Sequence, residues 1–527
     1  MNIGLLSRTR GERLLTPLLA TLREYRFPIA GSLICGFLAY TYAFTNKLVN
    51  LDEMLYLFSK GVTTESGRWG LVLCSYLFPD ISMPWIYGVL GLLILTAGIC
   101  LCIRISSIKS HILQFLLSGI IITFPSQIAT FAYTYTAAPY AVSFLLAVLA
   151  VYFLCCGKGS PVKYGLALVC SVLSVSIYQA YISITASLLV LFLVKQIMGS
   201  TRSEKQLFRK GLCYVAFLAL SLGVYWIITN LIWSNTEASI GGYAYSALTF
   251  SPDTILSNIK DAYVKFYAVL RYRHYSLITG SLSHFVHIVC ILLTGMELLL
   301  WMLHNKKPAR ILLLLFLLGI LPLSINCIFL FIHPDMIHSL VMFAFTSVYL
   351  LVAIILENGQ YLLSRRDFWN RVRVLYYDVL LACIAIVIAC NVYFANGAYL
   401  NLYLQYENTY SFTTSVLTTL ENTPGYQSGD KVALIGMFTE PEYEEDHLAF
   451  LDGIAGLMGI SPNSYSIRTM FQYYNGSNVN LISWEEALAV GDTPQFQQMP
   501  SYPSYGYIQK IQDVFVIKLS DDWIYKS

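Results

Sequence analysis

Charge is what this sequence has least of. Asp, Glu, Lys and Arg make up 12% of its 527 residues, where a soluble chain carries about 25%. A soluble core of this length would also split into domains separated by polar stretches, whereas here long apolar stretches recur down to about residue 395. Cysteine is present without a useful spacing. All 12 except Cys74 lie in apolar runs, Cys155 and Cys156 are neighbours, and none follows Cys390. That excludes a disulfide framework and a cysteine metal site, and leaves thiols that pack as small apolar residues. The net charge of +3 singles out no partner, and no nucleic acid is expected.

What the chain has instead is a succession of apolar runs, each near the 20 residues that cross a bilayer core. They fall at 27–46, 83–103, 111–130, 138–156, 164–178, 180–194, 211–233, 283–303, 311–332, 339–356 and 375–395. The first follows Arg8, Arg10, Arg13, Arg23 and Arg26. It is too long for a signal peptide core and has no small-residue cleavage site, so it reads as an uncleaved first span. Leu14–Tyr25 before it suits an interfacial helix. The stretch 164–194 is too long for one straight span, and Tyr178-Gln179-Ala180-Tyr181 suggests a turn between two short ones.

The basic residues test this layout. Most of the 33 Lys and Arg fall in the N-terminal segment and in short loops on the same side, among them Arg104, Lys109, Lys158, Lys163, Lys195, Arg202, Lys210, Lys307, Arg310 and Arg365–Arg373. Those loops share one side only if 164–194 crosses twice. The positive-inside rule makes that side cytoplasmic. The expected fold is therefore an all-α polytopic membrane protein of about eleven spans, with a small α/β domain on the outer face. The divisions are residues 1–26, a membrane domain at 27–395 and an extracytoplasmic domain at 396–527. In the last, Lys431–Met437 and Val514–Leu519 read as buried strands and Leu448–Met458 as a helix.

The spans are nearly free of charge. Glu297 and Asp378 lie toward cytoplasmic helix ends, and His284 and His287 near the opposite end of Glu297's helix. Ion-coupled transporters place ionisable groups near the midplane, so the pattern disfavours transport. The first external loop is different. Asn50-Leu51-Asp52-Glu53 follows the first span within a few residues, and Ser66-Gly67-Arg68-Trp69-Gly70 comes after. Met54, Leu55, Leu57 and Phe58 give an apolar face at helical spacing, as for a short helix on the membrane surface. A carboxylate there can take a proton from a hydroxyl, and an arginine in the same loop can fork onto a phosphate. The other reading is that Asp52 and Glu53 cap and solvate a helix start. A second external loop holds Lys260, Lys265, Arg271 and Arg273 against the positive-inside trend, either as a grip for lipid phosphate or as a solvated amphipathic helix. His333-Pro334-Asp335 and His338 add polar groups at the same level, in a pocket or a simple turn.

The order of these features resembles the O-antigen serotype-converting glucosyltransferases of bacteria and their phages, the glucosyltransferase type-II family. Asn50, Asp52, Glu53, Gly67, Arg68 and Trp69 bear the resemblance, with Met499–Ile508 near the C-terminus. It implies a GT-C-like membrane glycosyltransferase in the bacterial inner membrane, N-terminus cytoplasmic and C-terminal domain periplasmic. It implies inverting transfer of a sugar, glucose above all, from a polyprenyl-phosphate donor to lipid-linked or surface polysaccharide, with a separate donor synthase and flippase as partners. Asp52, with Glu53 beside it, is then the base. Arg68 and Trp69, and in the later loops Lys260, Arg271, Arg273, His333 and Asp335, are the candidate substrate and phosphate contacts. No cofactor is expected, although a carboxylate pair could hold a divalent cation. Where such enzymes place an arginine near the late spans, this chain has His333-Pro334-Asp335. The rival readings are a flippase and a glycan polymerase.

Overall fold

The computed structural model describes residues 19–58, 64–79, 81–157, 159–199, 202–235, 254–272, 277–305, 307–332, 337–358, 367–436 and 467–521. Arg273, His333, Asp335 and the expected helix Leu448–Met458 lie outside these. So do residues 14–18 of the expected Leu14–Tyr25 helix, of which residues 19–24 are helical.

The chain opens with α1 (Arg26–Thr45), then two short helices, α2 (Leu51–Leu55) and α3 (Trp69–Ser75). It continues with α4 (Pro84–Ser106), α5 (His111–Ile122), α6 (Pro125–Ala132), α7 (Thr134–Cys155), α8 (Pro161–Ile177) and α9 (Ile182–Gly199). After these come α10 (Glu204–Asn235), α11 (Ile255–Tyr272), α12 (Gly280–His304) and α13 (Pro308–Ile325). A 3-10 segment, Ser339–Thr346, leads into α14 (Ser347–Asn358), and α15 (Asp367–Glu421) closes the helical part.

Among the described residues nine helices are long and apolar enough to cross a membrane, or ten if α5 and α6, bent by 48°, make one crossing. The bend has a local cause. Phe124 precedes a proline and is extended, at φ −58°, ψ 136°, because the ring of Pro125 crowds a helical residue before it. The eleventh expected span is α8, whose 17 residues sit at the short end of a crossing. The turn foreseen after it is real. Tyr178 is extended, and a 3-10 turn at Gln179–Tyr181 precedes α9. The outer faces are those of a membrane protein: Leu220, Ile227 and Leu231 on α10 and Leu292, Leu299 and Leu303 on α12 are exposed. In water such faces would form an apolar patch far larger than soluble monomers tolerate.

α15 departs most from expectation. The apolar run 375–395 predicts an ordinary span, yet the helix is 55 residues long, roughly 80 Å at 1.5 Å per residue and far beyond the ~30 Å apolar core of a bilayer. Its last third buries Phe412, Val416, Leu417 and Leu420 against the C-terminal sheet. That sheet has the order β2-β1-β4-β3, with β1 (Lys431–Ile435), β2 (Asn480–Leu481), β3 (Ile508–Ile511) and β4 (Val514–Lys518). β1 pairs parallel with β4 from Lys431 opposite Val514, and β3 pairs antiparallel with β4. Both strands expected from the sequence are central.

The segment between α1 and α3, expected to lay its apolar face on the membrane, turns most of that face to the C-terminal module. Val49, Met54 and Leu57 are buried with Val432, Phe515 and Ile517 of the sheet module. The module's inner face needs an apolar cover, and this segment supplies it. Only Leu55 and Phe58 of the predicted face stay exposed.

Candidate functional site

Asn50 builds the start of α2. Its side-chain oxygen accepts the Glu53 backbone N–H at 2.7 Å, capping the helix. Its amide nitrogen donates to the Ala132 carbonyl at 3.1 Å, tying that start to the end of α6. Asp52 and Glu53 occupy the first turn, where negative charge is favoured, and the two acids part ways there. Glu53 is fully buried. Its carboxylate accepts from Lys47 Nζ at 2.5 Å, from the Ser82 hydroxyl, and from the Tyr135 backbone N–H at 3.4 Å. Lys47 also donates to Ser82 at 2.8 Å. Glu53 thus joins the segment after α1, the approach to α4 and the start of α7. Asp52 is half-buried, and its charge bears on His338.

Arg68 lies on another element, and its charge also bears on His338. Its Nε donates to Gln179 Oε1 at 3.3 Å and a terminal nitrogen donates to the Tyr140 hydroxyl at 3.2 Å. The guanidinium lies 5.5 Å from the Tyr178 ring centroid, and Tyr178 stacks on Tyr140 at 4.2 Å. The break between α8 and α9 therefore has a purpose in the fold: it turns Tyr178 and Gln179 toward Arg68.

The glycines around Arg68 account for the rest of that motif. Gly67 has φ +73°, a backbone state that favours glycine, and its carbonyl accepts from the Tyr225 hydroxyl at 3.1 Å. Gly70 lets α3 lie against α8; a Cβ there would sit 2.3 Å from Ser176 Oγ and 2.8 Å from the Ser176 backbone carbon. Gly70→Ala is expected to cost about 1–3 kcal/mol as an overpacked contact, lowering the thermal midpoint in detergent. Gly223→Ala, with nothing within 4 Å of the added carbon, serves as the control. Equal midpoints for the two variants would contradict this packing. Trp69 anchors the same helix, its indole donating to Thr229 Oγ1 on α10 at 3.2 Å.

His338 precedes the 3-10 segment, and its Nδ1 is buried with no hydrogen-bond partner among the described residues. Burial first, and the Arg68 guanidinium second, push its imidazole down to about 4, with Asp52 pulling the other way. The ring is neutral at pH 7. An unfolded histidine protonates near 6.5, so this site's contribution to stability is complete above about pH 6.5 and is lost as pH falls toward 4. His338→Gln should flatten the decline in thermal midpoint over that interval. An unchanged slope would show that the imidazole is not held neutral.

Asn50, Glu53 and Arg68 come from one loop, which also carries Asp52, and meet residues of α6, α7 and the α8–α9 turn. Lys260 and Arg271 stand instead at exposed positions of α11, which docks through Ala262, Phe266 and Val269, with Phe266 stacked on Phe345 at 4.9 Å. Sequence reasoning passed over Lys47, Ser82, Tyr140 and Gln179. Two had a signal: Lys47 is a basic residue on the side poor in them, and Gln179 lies in the turn already marked. Among the described residues no three His, Cys, Asp or Glu side chains converge as a metal site.

Comparison with known proteins follows this geometry. No curated protein sequence matches the chain. Among solved structures it is similar to the arabinofuranosyltransferase AftD from Mycobacteria, at 16% identity and a TM-score of 0.35; the match covers 79% of this chain and 29% of that one. The family model described as glucosyl transferase GtrII matches residues 41–356. That span is more than half of the chain and holds Asp52, Glu53, Arg68 and His338, so the protein belongs to the GtrII glucosyl transferase family.

Proposed function

We propose that this glycosyltransferase moves a sugar, glucose above all, from a polyprenyl-phosphate donor onto a lipid-linked or cell-surface glycan such as O-antigen. The reaction takes place at the periplasmic face of the bacterial inner membrane. The observation behind this reading is one loop that sets a half-buried carboxylate, Asp52, in a helix first turn and a guanidinium, Arg68, hydrogen-bonded to Gln179 and Tyr140, beside the ends of membrane helices. The family match supports the sugar chemistry, and the basic loops support the orientation. In this reading the N-terminus is cytoplasmic, and the membrane part is of the GT-C kind.

Asp52 takes the proton of an acceptor hydroxyl. The oxygen attacks the anomeric carbon as the bond from that carbon to the phosphate oxygen breaks. The lipid phosphate leaves with the electron pair, and a single displacement inverts the centre. Arg68 balances the charge gathering on the departing phosphate. Glu53 holds the start of α2 and does not itself react, since all its contacts are structural. Lys260 and Arg271, with Arg273, would form an outer basic surface for lipid phosphates, and His333 and Asp335 would border the acceptor. A separate synthase and flippase would supply the donor.

The test uses purified full-length protein in liposomes with acceptor glycan. Hexose transfer from polyprenyl-phosphate glucose, and none from a nucleotide sugar, is the expected result. Movement of the lipid-linked sugar across the bilayer without transfer would point to a flippase. Lengthened glycan chains would point to a polymerase.

A further inference from the structure

A groove of about 870 Å³ opens beside the Lys47–Glu53 pair, within the size range of small-molecule sites. Its floor comes from two membrane helices, Phe44 in the last turn of α1 and Pro84, Trp85 and Ile86 in the first turn of α4. Its far wall is Tyr473 and Tyr474 of the C-terminal module, beyond the residues 41–356 that the family model matches. Tyr473 meets Phe58 from the first external segment at 5.0 Å between ring centroids. Trp85, Phe58 and Tyr473 are all exposed, so the groove is lined by large apolar groups that none of the described residues covers.

The lining decides the class of occupant. Its few polar side chains lie mainly at the inner end, where Lys47 and Ser82 meet Glu53. A sugar would need hydrogen-bond partners along its length, and the groove offers an apolar channel instead. Because α1 and α4 are crossings, the channel starts at the boundary where lipid chains begin. At the inner end, Lys47 uses two of its three ammonium hydrogens on Glu53 and Ser82, which leaves the third for an anion in the groove that it lines. The shape is that of a lipid chain with a charged head. Of the two lipid-linked substrates, the donor is the one that fits. Its sugar sits directly on the phosphate next to the chain, so a chain in the groove keeps the reacting carbon at the segment between Lys47 and Phe58, both of which line the groove and between which Asp52 lies. An acceptor glycan holds its receiving sugar away from its own lipid.

We propose that this groove seats the first isoprene units of the lipid-phosphate donor and that Tyr473 and Tyr474 close it, giving the C-terminal module a part in donor selection. This rests on the polyprenyl-phosphate donor proposed above. The groove then discriminates by chain length, since each buried methylene contributes about fourfold in affinity.

The experiment compares donors of one and four isoprene units on the full-length protein in nanodiscs. The wild type should prefer the longer donor. The Trp85→Ala, Tyr473→Ala double variant should reduce that preference by about tenfold or more, through KM for the longer donor rather than kcat. Tyr505→Ala, at a fully exposed position, should leave the preference as it is. An unchanged preference in the double variant overturns the proposal, and so does a rise confined to the acceptor KM. A second measurement needs no turnover. A prenyl phosphate with a diazirine on its third isoprene unit should label peptides containing Trp85 or Tyr473 in the wild-type protein. Labelling elsewhere overturns the groove, whereas labelling there with no sugar transfer would overturn the reaction proposed for the donor and leave the groove standing.

Discussion

Asparagine in place of Asp52 should lower glycosyl transfer by about two to four orders of magnitude, the usual share of a general base, while the protein folds and inserts normally. The two halves of that expectation have different origins. The loss follows from chemistry: an amide cannot take the proton from an acceptor hydroxyl. The preserved fold follows from the site. Asp52 is half-buried and sits in the first turn of α2, but the capping bond of that helix belongs to Asn50. Asparagine has nearly the same shape, so what is removed is charge near His338 and Arg68. Thermal unfolding in detergent checks the fold, and transfer from lipid-phosphate glucose checks the chemistry. Transfer within a few-fold of wild type would remove Asp52 from the reaction.

At the next position the pattern should reverse. Glu53→Ala removes the carboxylate that Lys47, Ser82 and the Tyr135 N–H all share. Breaking a buried ion pair from one side costs about 3–5 kcal/mol. The low end, about 3 kcal/mol, is expected here, because the Lys47 side chain is 25% exposed and can turn to water. The three elements joined at Glu53 then lose their common tie, and folded yield and thermal midpoint should both fall. Glu53→Gln keeps the shape and some hydrogen bonds but not the charge, and should fall between. Activity declines too, in step with the folded fraction. A Glu53→Ala protein as stable as wild type but inactive would make Glu53 a reacting group and undo the division between the two acids.

That division could not be read from the sequence, although the pair itself could. Position alone placed Asp52–Glu53 outside the first span, and the Ser-Gly-Arg-Trp-Gly motif placed an arginine in the same loop. Which acid is tied into the packing depends on Lys47, Ser82 and Tyr135, and these meet only after α1, α4 and α7 have packed. The capping alternative was partly right in kind, since a cap exists, but Asn50 provides it. Glu53, expected to be solvated in that reading, has no contact with water at all.

The membrane helices were legible because length and apolarity are local properties. Even the division of 164–194 into two helices followed from where the basic loops must lie, and Tyr178–Tyr181 marks their boundary. α15 was cut short for the same reason that it was found. An apolar run ends near residue 395, yet nothing after it breaks a helix, and the continuation to Glu421 is held by Phe412, Val416 and Leu420 against the sheet. Met54 and Leu57 gave the right spacing and the wrong surface. Periodicity identifies an apolar face without naming what it meets, and here it meets Phe515 and Val432 rather than lipid.

The central claim is that a single carboxylate in the first external loop drives transfer of a sugar onto a surface glycan. It is tested most directly by mass spectrometry of that glycan from cells lacking the gene, cells expressing the wild-type protein and cells expressing Asp52→Asn at equal level in the membrane. One added hexose branch per modified unit with the wild type, and none with Asp52→Asn, is the predicted result. The same hexose in the Asp52→Asn cells, or a change in chain length with no branch, would contradict it.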